Sequence, residues 1–85
     1  MRPYHLVFSR PAAEYFRKAK GAVFRELESE LDRLVLQPHR PADLADRGED
    51  GRPVSIRFLR HSAITYALDD AVREVRVILL ESLGR

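Results

Sequence analysis

The sequence predicts an α+β fold: an N-terminal strand, an antiparallel helix hairpin, and then a three-stranded antiparallel meander. Three observations support this prediction. Residues 52–81 form three short runs in which apolar residues alternate with others, which is the period of a strand. Residues 12–37 hold two segments whose apolar residues have helical spacing. The breaks between the three runs are too short for crossover helices, so neighbouring strands are expected to run antiparallel.

The chain opens with an expected strand that leads into a short helix. The residues on one face of this strand are Tyr4, Leu6 and Phe8. Ser9 is a good N-cap for the helix, and Pro11 fits the first turn because no intrahelical N–H bond is needed there. We expect the helix over residues 12–20, with Gly21 as its C-cap.

The second helix, predicted over residues 23–37, is the longest element. Its apolar stripe consists of Val23, Phe24, Leu27, Leu31, Leu34 and Val35. Two helices joined by about two residues should pack as an antiparallel hairpin, with both apolar stripes on one face of the sheet. Pro38 and Pro41 end the helix. Residues 38–53 are then expected to form an ordered surface loop that Leu44 anchors.

The meander is predicted to have a core face and an outward face. Alternation gives the core face Val54, Ile56, Phe58, Ile64, Tyr66, Leu68, Val75, Val77 and Leu79. It gives the outward face Ser55, Arg57, Leu59, Ala63, Thr65, Ala67, Glu74, Arg76, Ile78 and Leu80. Several outward residues are large and apolar, which is unusual for a free surface. We therefore expect a partner protein or a second copy to cover this face.

Length, cysteine content, charge and the lengths of the apolar runs limit the classes of protein to which the chain can belong. The 85 residues suit a single domain over residues 1–85, and the absence of cysteine excludes disulfides and thiolate metal sites. Residues 23–51 hold eight acidic residues against four arginines, whereas residues 52–68 hold three arginines and no acidic residue. No apolar run is long enough to span a membrane, and the N-terminus does not resemble a signal peptide. A cytoplasmic protein is the default expectation.

Arginine and histidine side chains provide the candidate chemistry. On the predicted outward face, Arg57 and Arg76 could contact a phosphate backbone, with Arg60 and His61 at the rim. Histidine ordinarily exchanges protons near neutral pH, so His61 is the candidate acid or base. We predict His61, Arg57 and Arg76 as candidate catalytic residues. The predicted nucleic-acid contacts are Arg57, Arg60 and Arg76.

Simpler interpretations of these residues stay open. Glu74 is a weaker candidate base, and it could instead pair with a basic neighbour across the sheet while the arginines only keep a sheet edge soluble. The three histidines, His5, His39 and His61, lie in different predicted elements and lack a second ligand at a metal-binding spacing. We therefore expect no metal and no cofactor.

Three segments of the chain resemble the RelE/ParE toxin superfamily. They are YHLVFSRPAAEYF at residues 4–16, LDRLVLQPHRPADL at residues 31–44, and SIRFLRHSAITYALDD at residues 55–70. The order and spacing of these segments, rather than any one motif, carry the resemblance, which covers nearly the whole chain. It implies a small RelE/ParE-like fold with the helices on one face of the sheet.

The resemblance also implies a function. Such chains are toxins of type II toxin–antitoxin systems, which inhibit growth and are neutralised by a small antitoxin. One branch cleaves mRNA on the ribosome without a metal, and another poisons DNA gyrase. A homodimer or a heterotetramer with the antitoxin is the implied assembly.

Two departures from the family pattern favour an alternative. The ribonuclease branch commonly has arginine three positions before Tyr66, where this chain has Ala63. The family's basic, tyrosine-bearing tail would fall at residues 81–85, which do not match it. The alternative is a catalytically inactive family member that acts only as a protein-interaction module.

Overall fold

A computed structural model describes residues 3–84. Its helices and strands are β1 His5–Phe8, α1 Arg10–Lys18, α2 Gly21–Leu36, β2 Leu44–Arg47, β3 Pro53–Phe58, β4 Ser62–Asp69 and β5 Glu74–Ser82. The strands form one five-stranded mixed sheet in the order β1-β5-β4-β3-β2. The predicted α+β class and the antiparallel meander β3-β4-β5 are confirmed. No helix among residues 3–84 is long and apolar enough to cross a membrane.

The opening strand β1 lies at one edge of the sheet, beside the last strand. It pairs parallel to β5 from His5 opposite Glu74 to Phe8 opposite Val77. A parallel neighbour requires a long connection, and the chain between β1 and β5 contains both helices and strands β2, β3 and β4. The backbone N–H of Ser9 continues this pairing by donating to the carbonyl of Val77 at 2.9 Å. The first and last strands are thereby joined.

The opposite edge of the sheet is a strand that the sequence did not predict. Leu44–Arg47 forms β2 and pairs antiparallel to β3, with Leu44 opposite Ile56. The prediction of a loop over residues 38–53 was therefore wrong at this strand. All four β2 residues are exposed, so the sequence here lacks the alternation of buried and exposed residues that predicts a strand. A tight turn closes the pair, and Gly51 occupies it with a φ of 81°, a conformation that glycine adopts readily.

The two helices begin and end slightly earlier than predicted. The Oγ atom of Ser9 accepts the N–H of Ala12 at 3.2 Å, so Ser9 is the N-cap of α1 as expected. The prediction of Gly21 as the C-cap was wrong. Helix α1 already ends at Lys18 because Ala19 takes an extended conformation, with ψ at 144°. Gly21 instead begins α2, with a φ of 59° at the junction.

The core lies between the helices and one face of the sheet. Its buried residues are Ala12, Leu27, Leu31 and Leu34 from the helices and Ile64, Tyr66, Val75, Val77 and Leu80 from the strands. The predicted stripe of α2 and the predicted core face of β4 are confirmed by this cluster. Residues of β1, including Leu6 and Phe8, pack against it.

Strand β5 contains an irregularity that changes its alternation after Val77. Thr65 pairs with Leu79, whereas Tyr66 pairs with Val77, so Ile78 is an extra residue in β5. As a result Leu80 is buried and Leu79 is 39% exposed. The predicted positions of these two leucines were therefore wrong, because the sequence alternation alone does not reveal a bulge.

Strand β3 has its predicted faces exchanged. Ser55 lies opposite Tyr66, and Arg57 lies opposite Ile64, so both share the face that packs against the helices. Phe58 is 49% exposed. The prediction had placed the apolar residues of this strand on the core face, because burial of a charged residue such as Arg57 is costly unless the charge is paired.

Candidate functional site

Arg57 lies inside the interface between the sheet and α2. Its Nε atom is 3.1 Å from the Oε2 atom of Glu30, and both side chains are 9% exposed. This contact is an ion pair whose angles do not meet hydrogen-bond geometry. The Nη2 atom of Arg57 donates instead to the carbonyls of Arg40, at 3.2 Å, and Pro41, at 2.7 Å. Arg57 therefore holds the loop after α2 against the sheet.

Glu30 is shared among several arginines. Arg40 donates to the same carboxylate through Nη2, and Arg33 lies 3.9 Å from its other oxygen. The single carboxylate thus faces three guanidinium groups, including that of Arg57. An arrangement of this kind keeps a buried charge compensated, and removal of one partner is costly.

Arg76 lies on the opposite face of the sheet from Arg57. Its side chain is 50% exposed and contacts two carboxylates: Nη2 is 3.2 Å from Oδ2 of Asp69, and Nε donates to Oε1 of Glu74 at 3.1 Å. The structure does not bring Arg57 and Arg76 together, contrary to the predicted outward face. Glu74 was expected to pair with a basic neighbour across the sheet; its hydrogen bond is instead with Arg76 on its own strand, while Nε2 of His5 on β1 lies 3.5 Å from its other oxygen.

His61 is held by a residue that the sequence did not single out. In the turn between β3 and β4, its Nδ1 atom is 2.9 Å from Oε2 of Glu26 on α2. Its backbone N–H donates to the other carboxylate oxygen at 3.2 Å. A carboxylate can only accept, so Nδ1 carries a proton, and in the neutral form of the imidazole Nε2 is then the nitrogen with the lone pair. The imidazole is about one-third exposed, and the neighbouring Arg60 is exposed.

The sequence pattern did not single out the two glutamates that contact the candidate site residues. Glu26 and Glu30 both lie on α2 outside the predicted apolar stripe. Their partners lie far away in the sequence: His61 is 35 residues from Glu26. No local spacing reveals such a contact.

A groove runs across the sheet face that does not pack against the helices. Its volume is about 740 Å³, and its lining includes Ile56, Thr65, Ala67, Ile78 and Leu79. Ile78 and Leu79 are about two-fifths exposed. The groove thus joins exposed apolar side chains to a charged rim, which consists of Asp46, Arg47, Glu49, Asp50, Arg52 and Arg76. Among the residues that the structure describes, no group of three or more is arranged to hold a metal ion.

No protein-family model matches the sequence, and no curated protein matches it. Solved structures do match. The isolated RelE toxin of E. coli superposes with a TM-score of 0.79 at 24% identity, over 96% of this chain and 86% of that one. The archaeal RelE–RelB complex from Pyrococcus horikoshii OT3 gives a TM-score of 0.75 at 15% identity, over 100% of this chain and 99% of that one. The chain has the RelE toxin fold.

A third match extends the same fold to another complex. The toxin–antitoxin complex RelBE2 from Mycobacterium tuberculosis gives a TM-score of 0.72 at 15% identity, over 94% of this chain and 98% of that one. The predicted RelE-like fold is thus confirmed over nearly the whole chain. Within this RelE fold the candidate residues lie apart: Arg57 is buried against Glu30, Arg76 is paired on the opposite face of the sheet, and His61 pairs with Glu26.

Proposed function

We propose that this chain is the toxin component of a type II toxin–antitoxin pair, which inhibits growth and is neutralised by a small antitoxin. The observation that carries the proposal is the RelE fold, matched over 94–100% of the chain by a toxin alone and by toxin–antitoxin complexes. The apolar outer face of the sheet supports it as well, because a protein partner would shield Ile78 and Leu79 from water.

The first candidate mechanism is ribosome-dependent cleavage of mRNA without a metal. In this reaction a ribose 2′-oxygen attacks the adjacent phosphorus, the bond from phosphorus to the 5′-oxygen breaks, and a 2′,3′-cyclic phosphate forms. The Nε2 atom of His61 is the candidate acceptor of the 2′-hydroxyl proton, because Glu26 keeps the proton of the imidazole on Nδ1. Water or a ribosomal group would protonate the leaving 5′-oxygen. Arg60 is the candidate phosphate contact.

The second candidate mechanism needs no catalysis: the chain blocks DNA gyrase or another target by binding, or serves only as an interaction module. Two observations favour it. Arg57 and Arg76, the expected phosphate ligands, already pair with carboxylates. Ala63 is 2% exposed and has no charge to offer at the position where the ribonuclease branch has arginine.

Controlled expression in a bacterial host separates these functions. Growth is followed after induction, mRNA cleavage by primer extension, and gyrase activity by plasmid supercoiling with purified protein. Growth arrest with cleavage that His61→Ala abolishes supports the ribonuclease, and His5→Ala is the matched control on another exposed histidine. Growth arrest with blocked supercoiling supports the gyrase poison. Unimpaired growth at high expression removes the toxin assignment and leaves the interaction module.

A further inference from the structure

The outer face of the sheet, which does not pack against the helices, presents one row of side chains across four strands. Leu44 on β2 lies opposite Ile56 on β3. Thr65 on β4 lies opposite Ile56 on one side and opposite Leu79 on β5 on the other. The two ends of the row are exposed, Leu44 by 46% and Leu79 by 39%. Because paired residues of neighbouring strands lie on the same face, the row is one continuous and mainly apolar surface, and covering it is favourable.

Strands β3 and β4 give this outer face a ridge beside a trough. The β3 residues on this face are large and apolar: Val54, Ile56 and Phe58. The β4 residues on the same face are small: Ala63, Thr65 and Ala67. The groove of about 740 Å³ follows the trough, since its lining includes Thr65 and Ala67 between Ile56 on one side and Leu79 on the other. A ridge next to a trough of equal width fits a copy of the same surface that has been turned over.

The charged rim of the groove does not favour a nucleic acid. It holds three acidic residues and three arginines, so its formal charges cancel. The arginines already have partners within the chain: Arg47 donates to the carbonyl of Gly51, Arg52 contacts Asp50, and Arg76 contacts Asp69 and Glu74. A phosphate backbone is bound by cations that it neutralises, and here carboxylates already do so. The occupant that fits this face is therefore an apolar surface with a balanced rim.

A second copy of this chain supplies such a surface. A two-fold axis that runs parallel to the strands, between β3 and β4, turns one sheet over the other and reverses the order of its strands. The β3 ridge of each copy then lies over the β4 trough of the other, with Ile56 over Thr65 of the partner subunit. At the ends of the row, Leu44 lies over Leu79 of the partner subunit. Facing sheets pack about 10 Å apart with their strands within about 30°, and residues near the axis are displaced least by this rotation.

The same axis places unlike charges over one another. In the row next to the apolar one, Asp46 on β2 pairs with Val54, and Arg76 on β5 pairs with Ala67. Asp46 and Arg76 thus lie at opposite ends, and reversal of the strand order places Asp46 over Arg76 of the partner subunit. Arg76 keeps its own carboxylates in this arrangement. A two-fold axis perpendicular to the strands would instead place the β3 ridge over the β3 ridge of the partner subunit, so the parallel axis fits better.

We propose that this chain forms a homodimer through the outer faces of its sheets, with β3 of each copy over β4 of the other. An 85-residue chain builds only a modest core, so burial of a second apolar face adds stability that a domain of this size needs. Two-fold dimers are also the commonest assemblies of identical chains. The inference goes beyond the proposed function, which needs only that some protein shields this face.

Sedimentation equilibrium of the purified chain tests whether the dimer forms. We expect the apparent mass to rise with concentration from that of one chain toward that of two, and not beyond, because a two-fold interface closes the assembly. A monomer at every concentration up to about 1 mM, a range that includes weak dimers, overturns the proposal. That result would leave a different protein as the occupant of the groove. Assemblies larger than two chains would contradict the two-fold axis.

A charged substitution at the end of the apolar row locates the interface. Leu79→Asp is tolerated in one copy because the side chain is partly exposed, but in the dimer the new carboxylate would be buried against Leu44 of the partner subunit. The dissociation constant should rise at least about tenfold. Leu36→Asp is the matched control, since Leu36 is 71% exposed at the end of α2 and should leave the dimer unchanged. Circular dichroism checks that both variants fold. Equal dissociation constants for wild type and Leu79→Asp contradict this interface.

Cysteine crosslinking tests the direction of the axis, and the chain suits this experiment because it contains no cysteine. Copies with Leu44→Cys are mixed with tagged copies that carry Leu79→Cys and are treated with a short bismaleimide. The two positions are three strand spacings apart in one sheet, about 14 Å. The mixed product should therefore exceed the product of either variant with itself several-fold. Leu36→Cys should crosslink with neither. Crosslinking of Leu44→Cys mainly with itself, or no mixed product, contradicts the axis.

Discussion

Arg57 and Glu30 form an ion pair across the interface between β3 and α2, with Nε and Oε2 3.1 Å apart and both side chains almost fully buried. The sequence pattern had placed Arg57 on the outer face as a phosphate contact. In the structure its guanidinium binds Glu30 and the carbonyls of Arg40 and Pro41. A buried and multiply bonded arginine of this kind serves the architecture, because its donors are not available to a ligand.

Removal of Glu30 should destabilise the protein strongly. Glu30→Ala leaves the buried Arg57 and the partly buried Arg40 without their carboxylate, and breaking such a pair costs about 3–5 kcal/mol. Urea unfolding followed by circular dichroism measures this loss. Glu28→Ala is the matched control, since Glu28 is exposed on the same helix and should change the free energy of unfolding by about 0.5 kcal/mol or less. Equal losses in both variants would show that the Glu30 cluster carries little stability.

The sequence predicted those parts of the fold in which burial follows a regular period. The stripe of α2, with Leu27, Leu31 and Leu34, and the core face of β4 obey the helical and strand periods and were correctly assigned. Strand β2 was missed because its four residues are all exposed. Alternation of apolar and polar residues marks a strand only where one of its faces is buried, so a strand that is exposed on both faces cannot be found in this way.

Two other failures come from tertiary contacts that no local pattern contains. In β3 the charged Arg57 faces the core because Glu30 and two carbonyls satisfy it there. In β5 the extra residue Ile78 shifts the alternation, so that Leu80 replaces Leu79 in the core. The pairing of His61 with Glu26 likewise required knowledge of which helix passes the turn. His61 itself was named as a candidate because histidine has few alternatives as a proton carrier near neutral pH, and its role stays a prediction.

The stability lost when a leucine of α2 is truncated to alanine should depend on how deeply that leucine is buried. Leu31 is 2% exposed and lies in the core cluster, whereas Leu36 on the same helix is 71% exposed. Leu31→Ala should lower the free energy of unfolding by about 2–5 kcal/mol because it removes buried methyl groups and leaves a cavity. Leu36→Ala should lower it by less than about 0.5 kcal/mol. Denaturant titration of both variants checks this, and a comparable loss for Leu36→Ala would mean that Leu36 is packed.

The hydrogen bond between Tyr4 and Asp70 should appear in the titration of tyrosine. This bond raises the pKa of Tyr4 above its ordinary 10.0, and the same bond lowers the pKa of Asp70 below its ordinary 3.8. A raised tyrosine pKa gives stability that is present below pH 10.0 and is lost as the pH rises through the raised value. A lowered aspartate pKa gives stability that is present above pH 3.8 and is lost as the pH falls through the lowered value.

Absorbance of tyrosinate against pH measures this effect. Asp70→Asn should bring the pKa of Tyr4 back toward its ordinary value, because the charged acceptor is removed, and Tyr4→Phe identifies which transition belongs to Tyr4. Asp69→Asn is the control, since Asp69 pairs with Arg76 rather than with Tyr4. A tyrosine titration that is identical in wild type and Asp70→Asn would contradict the hydrogen bond.

The pair formed by His61 and Glu26 leads to a prediction with a spectroscopic and a kinetic measurement. Glu26 accepts both from Nδ1–H and from the backbone N–H of His61, so in the neutral imidazole the proton lies on Nδ1 and Nε2 is unprotonated. Glu26→Gln replaces one acceptor oxygen by an amide that donates, and the imidazole should then populate the Nε2–H tautomer. Long-range ¹H–¹⁵N correlation spectra distinguish the two tautomers.

If the chain cleaves mRNA with His61 as base, the cleavage rate of Glu26→Gln should fall about 100-fold, the lower range for a positioned proton acceptor. Glu28→Gln on the same helix should change neither measurement. A wild-type spectrum dominated by Nε2–H would contradict the assigned geometry, and full cleavage in Glu26→Gln would remove Glu26 from the mechanism.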